Sequence, residues 1–216
     1  MTTLPLINRL RIARHKKVTA AQDLVVISLY AHFPGAVIHG GTSIWRCYGG
    51  NRFSEDIDVY LDLAEKKADF DVFINDLEKA GLEKIKFKKS DTSIFSIFTY
   101  DRENVSFEAV FKSVKGTPAK YEMSDGTFTF IRTLTPKELM LEKITTYLDR
   151  RKVRDLYDIY FLSNIVARDE STRRSMHVLV SKFAAPRDAD SLSSLVLTGA
   201  VPTVDEMLEE LTIWAK

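Results

Sequence analysis

The chain has 216 residues, 45% of them hydrophobic and 28% charged, a balance that excludes disorder over its whole length. A formal net charge of +1 excludes a global attraction to nucleic acid or acidic membranes, so any polyanion must meet a local basic patch. A single cysteine, Cys47, rules out an intramolecular disulfide and a cysteine-rich zinc site, and no apolar run approaches the roughly 20 residues of a membrane span. The start lacks the apolar stretch and cleavage site of a secretory signal. The expectation is a soluble, cytoplasmic protein without membrane contact.

Residues 3–33 are expected to form two helices, with a break near 15–18. Thr3, ahead of Leu4 and Pro5, is placed to cap the first, and Pro34 with Gly35 ends the second. AVIH is a short buried strand, and GGTSIWRCYGG is a tight turn into a short helix closed by Gly49 and Gly50. DIDVYLDL alternates as a strand, with Asp56, Asp58, Tyr60 and Asp62 on one face and Ile57, Val59, Leu61 and Leu63 on the other. Residues 67–80 are spaced as a helix through Phe70, Phe73, Ile74 and Leu77, with Gly81 placed to cap it. EKIKFKK, SIFSIFTY and VSFEAVF then read as strands, and AKYEM-SDG-TFTFIR as a hairpin turning at Asp125 and Gly126. From residue 135 on, the pattern is helical. Helices, a strand-rich middle and a helical tail predict an α+β fold in two parts, 1–133 and 134–216.

Asp56 and Asp58 stand at i and i+2, so in a strand they project from one face about 7 Å apart. Two such carboxylates repel unless a cation lies between them, and Mg²⁺, hard and oxygen-seeking, suits them. A solvated edge strand is the plainer account of an isolated pair. Upstream, however, His39-Gly40-Gly41-Thr42-Ser43 lies at a strand-to-helix junction. Paired glycines permit close backbone approach, and the helix N-terminus offers N–H groups to a phosphate. One element is suited to a triphosphate, through Gly41, Thr42 and Ser43, and the other to the metal that bridges to it.

Gly41-Thr42, thirteen residues and then Asp56-Ile57-Asp58 resembles the signature of the polymerase-beta-like nucleotidyltransferases. The resemblance implies a third metal carboxylate on a later strand, for which VSFEAVF offers Glu108; an outward-facing strand acid is the other reading. GGTSIWRCYGGNRFSEDIDVYLD further resembles the first motif of the AbiEii/AbiGii-type toxin family, whose Arg-x-Ser pair is matched by Arg52 and Ser54. TPKELMLEKITTYLDRRKVRDLYDIYFL resembles that family's helical motif at Lys143, Arg150, Arg154, Asp155 and Asp158.

The residues of this second block carry their own physics. Thr135, Pro136 and Glu138 form a capping box with proline at the first helical position. Leu139, Ile144, Tyr147 and Leu148 can face a core, which leaves Lys143 in apolar surroundings where an amine demands an anionic partner. A nucleotide phosphate is one such partner, and Asp155 or Asp158, on one face of the next helix, is the other. His39 and Cys47 read as structural, and the basic clusters at 9–17, 84–89 and 150–154 as solvated faces, one of which could receive RNA phosphates, the 150–154 cluster being favoured because it adjoins the expected site.

The expected fold is therefore a nucleotidyltransferase-like mixed sheet with flanking helices plus a C-terminal helical lobe, with the site in a cleft. The expected reaction moves an NMP from an NTP to an acceptor hydroxyl. Asp56, Asp58 and Glu108 would hold one or two Mg²⁺, and Lys143 and Asp155 would complete the catalytic set. Gly41, Thr42, Ser43, Arg52, Ser54, Lys143, Arg154 and Asp158 would bind the nucleotide. The resemblance implies the toxin of a toxin–antitoxin pair, an RNA acceptor such as tRNA, and a separately encoded antitoxin. A nucleotidyltransferase acting on small molecules or proteins, and an inactive nucleotide- or partner-binding module, are the alternatives.

Overall fold

The computed structural model describes residues 4–216, so the Thr3 cap lies outside the described residues. Its chain forms two compact units, residues Met1–Cys47 with Ser54–Leu134, and Tyr48–Phe53 with Thr135–Lys216.

The first unit opens with α1 (Leu6–Arg9) and α2 (Ala13–His32). The helical break falls between these, at residues 10–12, and not near 15–18 as the sequence suggested. Arg, Lys and Ala are good helix formers, and the polar run His15-Lys16-Lys17 contains no glycine or proline to interrupt the hydrogen-bond ladder. Strand β1 (Val37–His39) leads into α3 (Gly40–Tyr48), and β2 (Asp56–Leu61) follows. Asp62 does not extend β2 as expected. Its carboxylate instead accepts from the Ala64 N–H at 2.9 Å and caps a short 3₁₀ turn, Leu63–Lys67, that the alternating pattern concealed. Helix α4 (Phe70–Lys79), β3 (Glu83–Lys89), β4 (Ser93–Tyr100), β5 (Glu103–Phe111), β6 (Thr117–Glu122) and β7 (Phe128–Thr133) complete the unit.

The strands make one mixed seven-stranded sheet in the order β3-β4-β5-β2-β1-β7-β6. Pairs β2–β5 and β1–β7 are parallel, and the other neighbours are antiparallel. Period-2 alternation divides its faces. Ile57, Val59 and Leu61 of β2, Phe107 and Ala109 of β5, and Ile94 and Phe98 of β4 are buried against Val25 and Leu29 of α2 and Phe70, Phe73 and Leu77 of α4. The opposite face carries Asp56, Asp58 and Glu108. The core thus holds one face of β2 rigid while the other presents acids.

The second unit is helical: α5 (Pro136–Arg150), α6 (Val153–Ser163), α7 (Glu170–Ser181), α8 (Leu192–Leu195) and α9 (Val204–Ala215). Capping boxes start α5 at Thr135 with Glu138, α7 at Asp169 with Thr172, and α9 at Thr203 with Glu206. The segment before β2 joins this unit through an isolated bridge between Arg52 and Val196. Among the described residues no helix is long and apolar enough to cross a membrane.

Candidate active site

In the first unit, β2 brings Asp56 and Asp58 to one half-buried face, and parallel pairing sets Ser106 beside Asp56 and Glu108 beside Asp58. The Ser106 hydroxyl donates to Asp56 Oδ1. Antiparallel pairing with β1 places His39 opposite Asp58. The His39 ring lies flat on Tyr60, 3.9 Å between centroids and 5° between planes.

The turn from β1 into α3 runs directly against this face. Gly40 has φ of 70°, and a Cβ there would collide with the Asp58 carboxylate. Only glycine meets both demands, a left-handed backbone and contact with a carboxylate. The N-terminal N–H groups of α3 thereby start beside Asp58, where the helix dipole favours an anion.

Thr42 and Ser43 are fully buried, and their hydroxyls have structural work. Thr42 Oγ1 donates to the Asp56 carbonyl at 2.5 Å, tying α3 to the start of β2, and Ser43 Oγ bonds Thr133 Oγ1 of β7. At Gly41, Thr42 and Ser43, then, the backbone is the group suited to a ligand. Sequence reasoning missed Ser106 and Gln22. Gln22 is buried in α2, and its Nε2 donates to the carbonyls of Ser54 and Glu55 at 2.9 and 3.1 Å, fixing the chain just before the aspartates. A polar residue at a core-facing helical position, between Ala21 and Val25, was the available signal.

Asp56, Asp58 and Glu108 are all oxygen donors on one face, the donor chemistry Mg²⁺ takes. Glu108 is exposed and the two aspartates half-buried. Among the described residues no three or more His, Cys, Asp or Glu side chains are gathered into a metal cluster. The fit therefore lies in donor type, shared face and the glycine turn beside Asp58.

The second unit joins Arg52, Lys143, Arg150, Asp155 and Asp158 in one ion-pair network around two buried carboxylates. Lys143 Nζ lies 3.1 Å from Asp155 and 2.8 Å from Asp158. Arg52 donates from Nε and Nη2 to the two oxygens of Asp158, both at 2.6 Å. Arg150 donates to both oxygens of Asp155, at 2.7 and 2.9 Å. Burial alone pushes both carboxyls up, yet Arg150 and Lys143 hold Asp155, and Arg52 and Lys143 hold Asp158, below the ordinary aspartate value. Arg154 is half-buried on α6. Ser54 lies in the first unit, buried, its carbonyl taken by Gln22.

A mixed sheet that sets paired aspartates beside a glycine turn and a helix N-terminus has the form of a nucleotidyltransferase. Residues 22–212 match the family model described as nucleotidyl transferase AbiEii toxin, type IV TA system. The chain therefore belongs to the AbiEii nucleotidyltransferase toxin family. This makes it an NTP-using enzyme of the kind that acts as the toxin of a toxin–antitoxin pair. Among curated proteins none matches it. Its fold is similar to that of JHP933 from Helicobacter pylori, with a TM-score of 0.66 at 19% identity over 94% of this chain and 91% of that one. MenT4, a nucleotidyltransferase toxin of Mycobacterium tuberculosis, gives a TM-score of 0.58 at 18% identity over 92% of this chain and 86% of that one.

Proposed function

We propose that this enzyme moves an NMP from an NTP to a hydroxyl of RNA, tRNA being the first case to test, releasing pyrophosphate, in a reaction that requires Mg²⁺. The observation that carries the reading is the Gly40 turn packed on the Asp58 carboxylate, which puts a helix N-terminus beside the two-aspartate face. Asp56 and Asp58, with Glu108 on the neighbouring strand, would hold one or two Mg²⁺. When bound, the metal supplies charge neutralisation on the phosphates and activation of the attacking hydroxyl.

The residues of the chain divide the remaining work. The N–H groups of Gly41, Thr42 and Ser43 bind phosphate oxygens, and the Ser106 hydroxyl holds Asp56 in one orientation. Lys143 and Arg154 are proposed to neutralise phosphate charge. Lys143 is already paired with Asp155 and Asp158 within its own unit. For Arg52 and Asp158, the mutual fork makes positioning the favoured role over direct nucleotide contact.

The test is transfer of label from each α-³²P NTP to total tRNA with Mg²⁺, with Asp56→Ala/Asp58→Ala as control. Label entering RNA only with the wild type is the expected result. Metal-dependent NTP binding without transfer to RNA would reject the RNA acceptor and turn attention to small molecules or protein hydroxyls. Neither transfer nor metal-dependent NTP binding would reject the site.

A further inference from the structure

The face that presents the carboxylates continues beyond them. Register carries Asp58 to Glu108 on β5, Glu108 to Phe95 on β4, and Phe95 to Lys88 on β3. The next row runs Asp56, Ser106, Ile97, Lys86. Paired residues in adjacent strands share a face. The alternation agrees: Phe87, between the two lysines, packs toward the core, while Lys86 and Lys88 are exposed. Phe95 and Ile97 are half-buried, and Val110 beside them is 41% exposed, so this face is open to solvent. The Lys86 ammonium stands over the Phe95 ring, 5.0 Å from its centroid.

We propose that this face, from Glu108 across Phe95 and Ile97 to Lys86 and Lys88, is the track on which a single-stranded end of the RNA acceptor lies. The inference rests on the RNA reading of the reaction and adds where the acceptor binds. Sheet order carries the argument. The helix N-terminus suited to the triphosphate follows β1, on one flank of β2, whereas Phe95 and the lysines lie on β4 and β3, on the other flank. The carboxylates fall between, as transfer from nucleotide to acceptor requires. Lys88 is three strands from Asp58, about 14 Å at the backbone, on the side away from the nucleotide.

A half-exposed aromatic beside amines is a combination that can take an unpaired base by stacking and its phosphates by charge. A chain of net charge +1 needs such a local patch to hold RNA. Lysines on an edge strand also deter sheet-to-sheet pairing. That role calls for charge on the edge but gives no reason for a half-exposed phenylalanine between the lysines and the acids.

The test is anisotropy of a fluorescein-labelled ten-nucleotide single-stranded RNA across a salt series. The wild type is compared with Lys86→Ala/Lys88→Ala, with Phe95→Leu, and with Lys66→Ala/Lys67→Ala, which removes the same charge from the exposed 3₁₀ turn. The track predicts about tenfold weaker binding for Lys86→Ala/Lys88→Ala, with the log–log salt slope smaller by about 1.4, two contacts of about 0.7 each. Phe95→Leu should weaken binding about fivefold or more with the slope unchanged, and the 66/67 variant should stay within about twofold. All variants should bind NTP with Mg²⁺ as the wild type does. Wild-type affinity and slope in Lys86→Ala/Lys88→Ala, or an equal loss in the 66/67 variant, would overturn the track while leaving the RNA reaction standing. A wild type that binds NTP but neither binds nor labels RNA would overturn both.

Discussion

Arg52 and Asp158 meet as two forks, each carboxylate oxygen of Asp158 accepting one guanidinium N–H at 2.6 Å, with both side chains buried. The third arm, Nη1, donates to the Phe53 carbonyl at 2.9 Å. The short segment Tyr48–Phe53 is thereby fixed to α6 by a side chain, and by its bridge to Val196, just after α8. Removing one partner of a buried pair strands the other charge at a cost of about 3–5 kcal/mol. Arg52→Ala should lose stability toward the lower end of that scale, because Lys143 still faces Asp158 at 2.8 Å. Arg52→Lys should lose less, because a charge remains although the two-pronged geometry does not. Urea unfolding measures both. A small stability loss combined with a large loss of NTP affinity in Arg52→Ala would instead mark Arg52 as a nucleotide ligand.

The same network contributes to the acid sensitivity of the fold. Asp155 and Asp158 have folded pKa values below the unfolded value, since their cations outweigh the penalty of burial. Carboxyls of this kind stabilise the fold at every pH above the unfolded value of about 3.9, and the contribution is lost as pH falls through the folded value. The contribution of these two carboxyls should therefore be nearly flat from neutral pH down to about 5 and fall below about 4. Asp158→Asn should be less stable at pH 7 but show a shallower acid limb. Urea midpoints at several pH values test this, and an equally steep limb in Asp158→Asn would place the acid sensitivity elsewhere.

Much of this site was legible in the sequence because it obeys short periods. Asp56 and Asp58 declared a shared face by their i, i+2 spacing, and Thr135 with Glu138 declared the start of α5. Residues whose role depends on distant chain were not legible. Lys143 needed an anion, but whether phosphate or aspartate depended on how α5 meets α6. Ser106 had no signal at all, because its bond to Asp56 exists only through the register of two strands distant in sequence. Asp62 fitted the alternation of β2, yet a local cap on Ala64 competed with the ladder and won. That the hydroxyls of Thr42 and Ser43 are bonded to β2 and β7 likewise depends on strands distant in sequence.

Cys47, near the end of α3, is expected to be inert in the folded protein. Burial pushes its thiol up to about 12, against the opposing pull of the Arg46 guanidinium. At pH 8 only about one molecule in 10⁴ then carries the reactive thiolate. A disulfide reagent should titrate almost no thiol in the native protein over minutes, and the single thiol promptly in guanidinium chloride. Rapid native reaction would show that the α3 end opens readily.

Gly40 gives the sharpest separation of stability from activity. Its φ of 70° is left-handed, and an added Cβ would strike the Asp58 carboxylate. Gly40→Ala thus meets a backbone penalty of roughly 1–2 kcal/mol, with the clash added. Asp58 is half-exposed and can rotate away, so the fold should survive with its thermal midpoint lowered by about 2–8 °C. The proposed metal site should not survive as well, since the displaced group is one of its two central carboxylates. A misplacement of this kind can cost about 10²-fold in rate. Gly40→Ala should therefore retain its circular dichroism spectrum and most of its stability while losing transfer by that order, with Mg²⁺-dependent NTP binding weakened in parallel. Full transfer activity in a folded Gly40→Ala protein would show that contact between the turn and Asp58 is dispensable, and would remove the observation on which the proposed reaction rests.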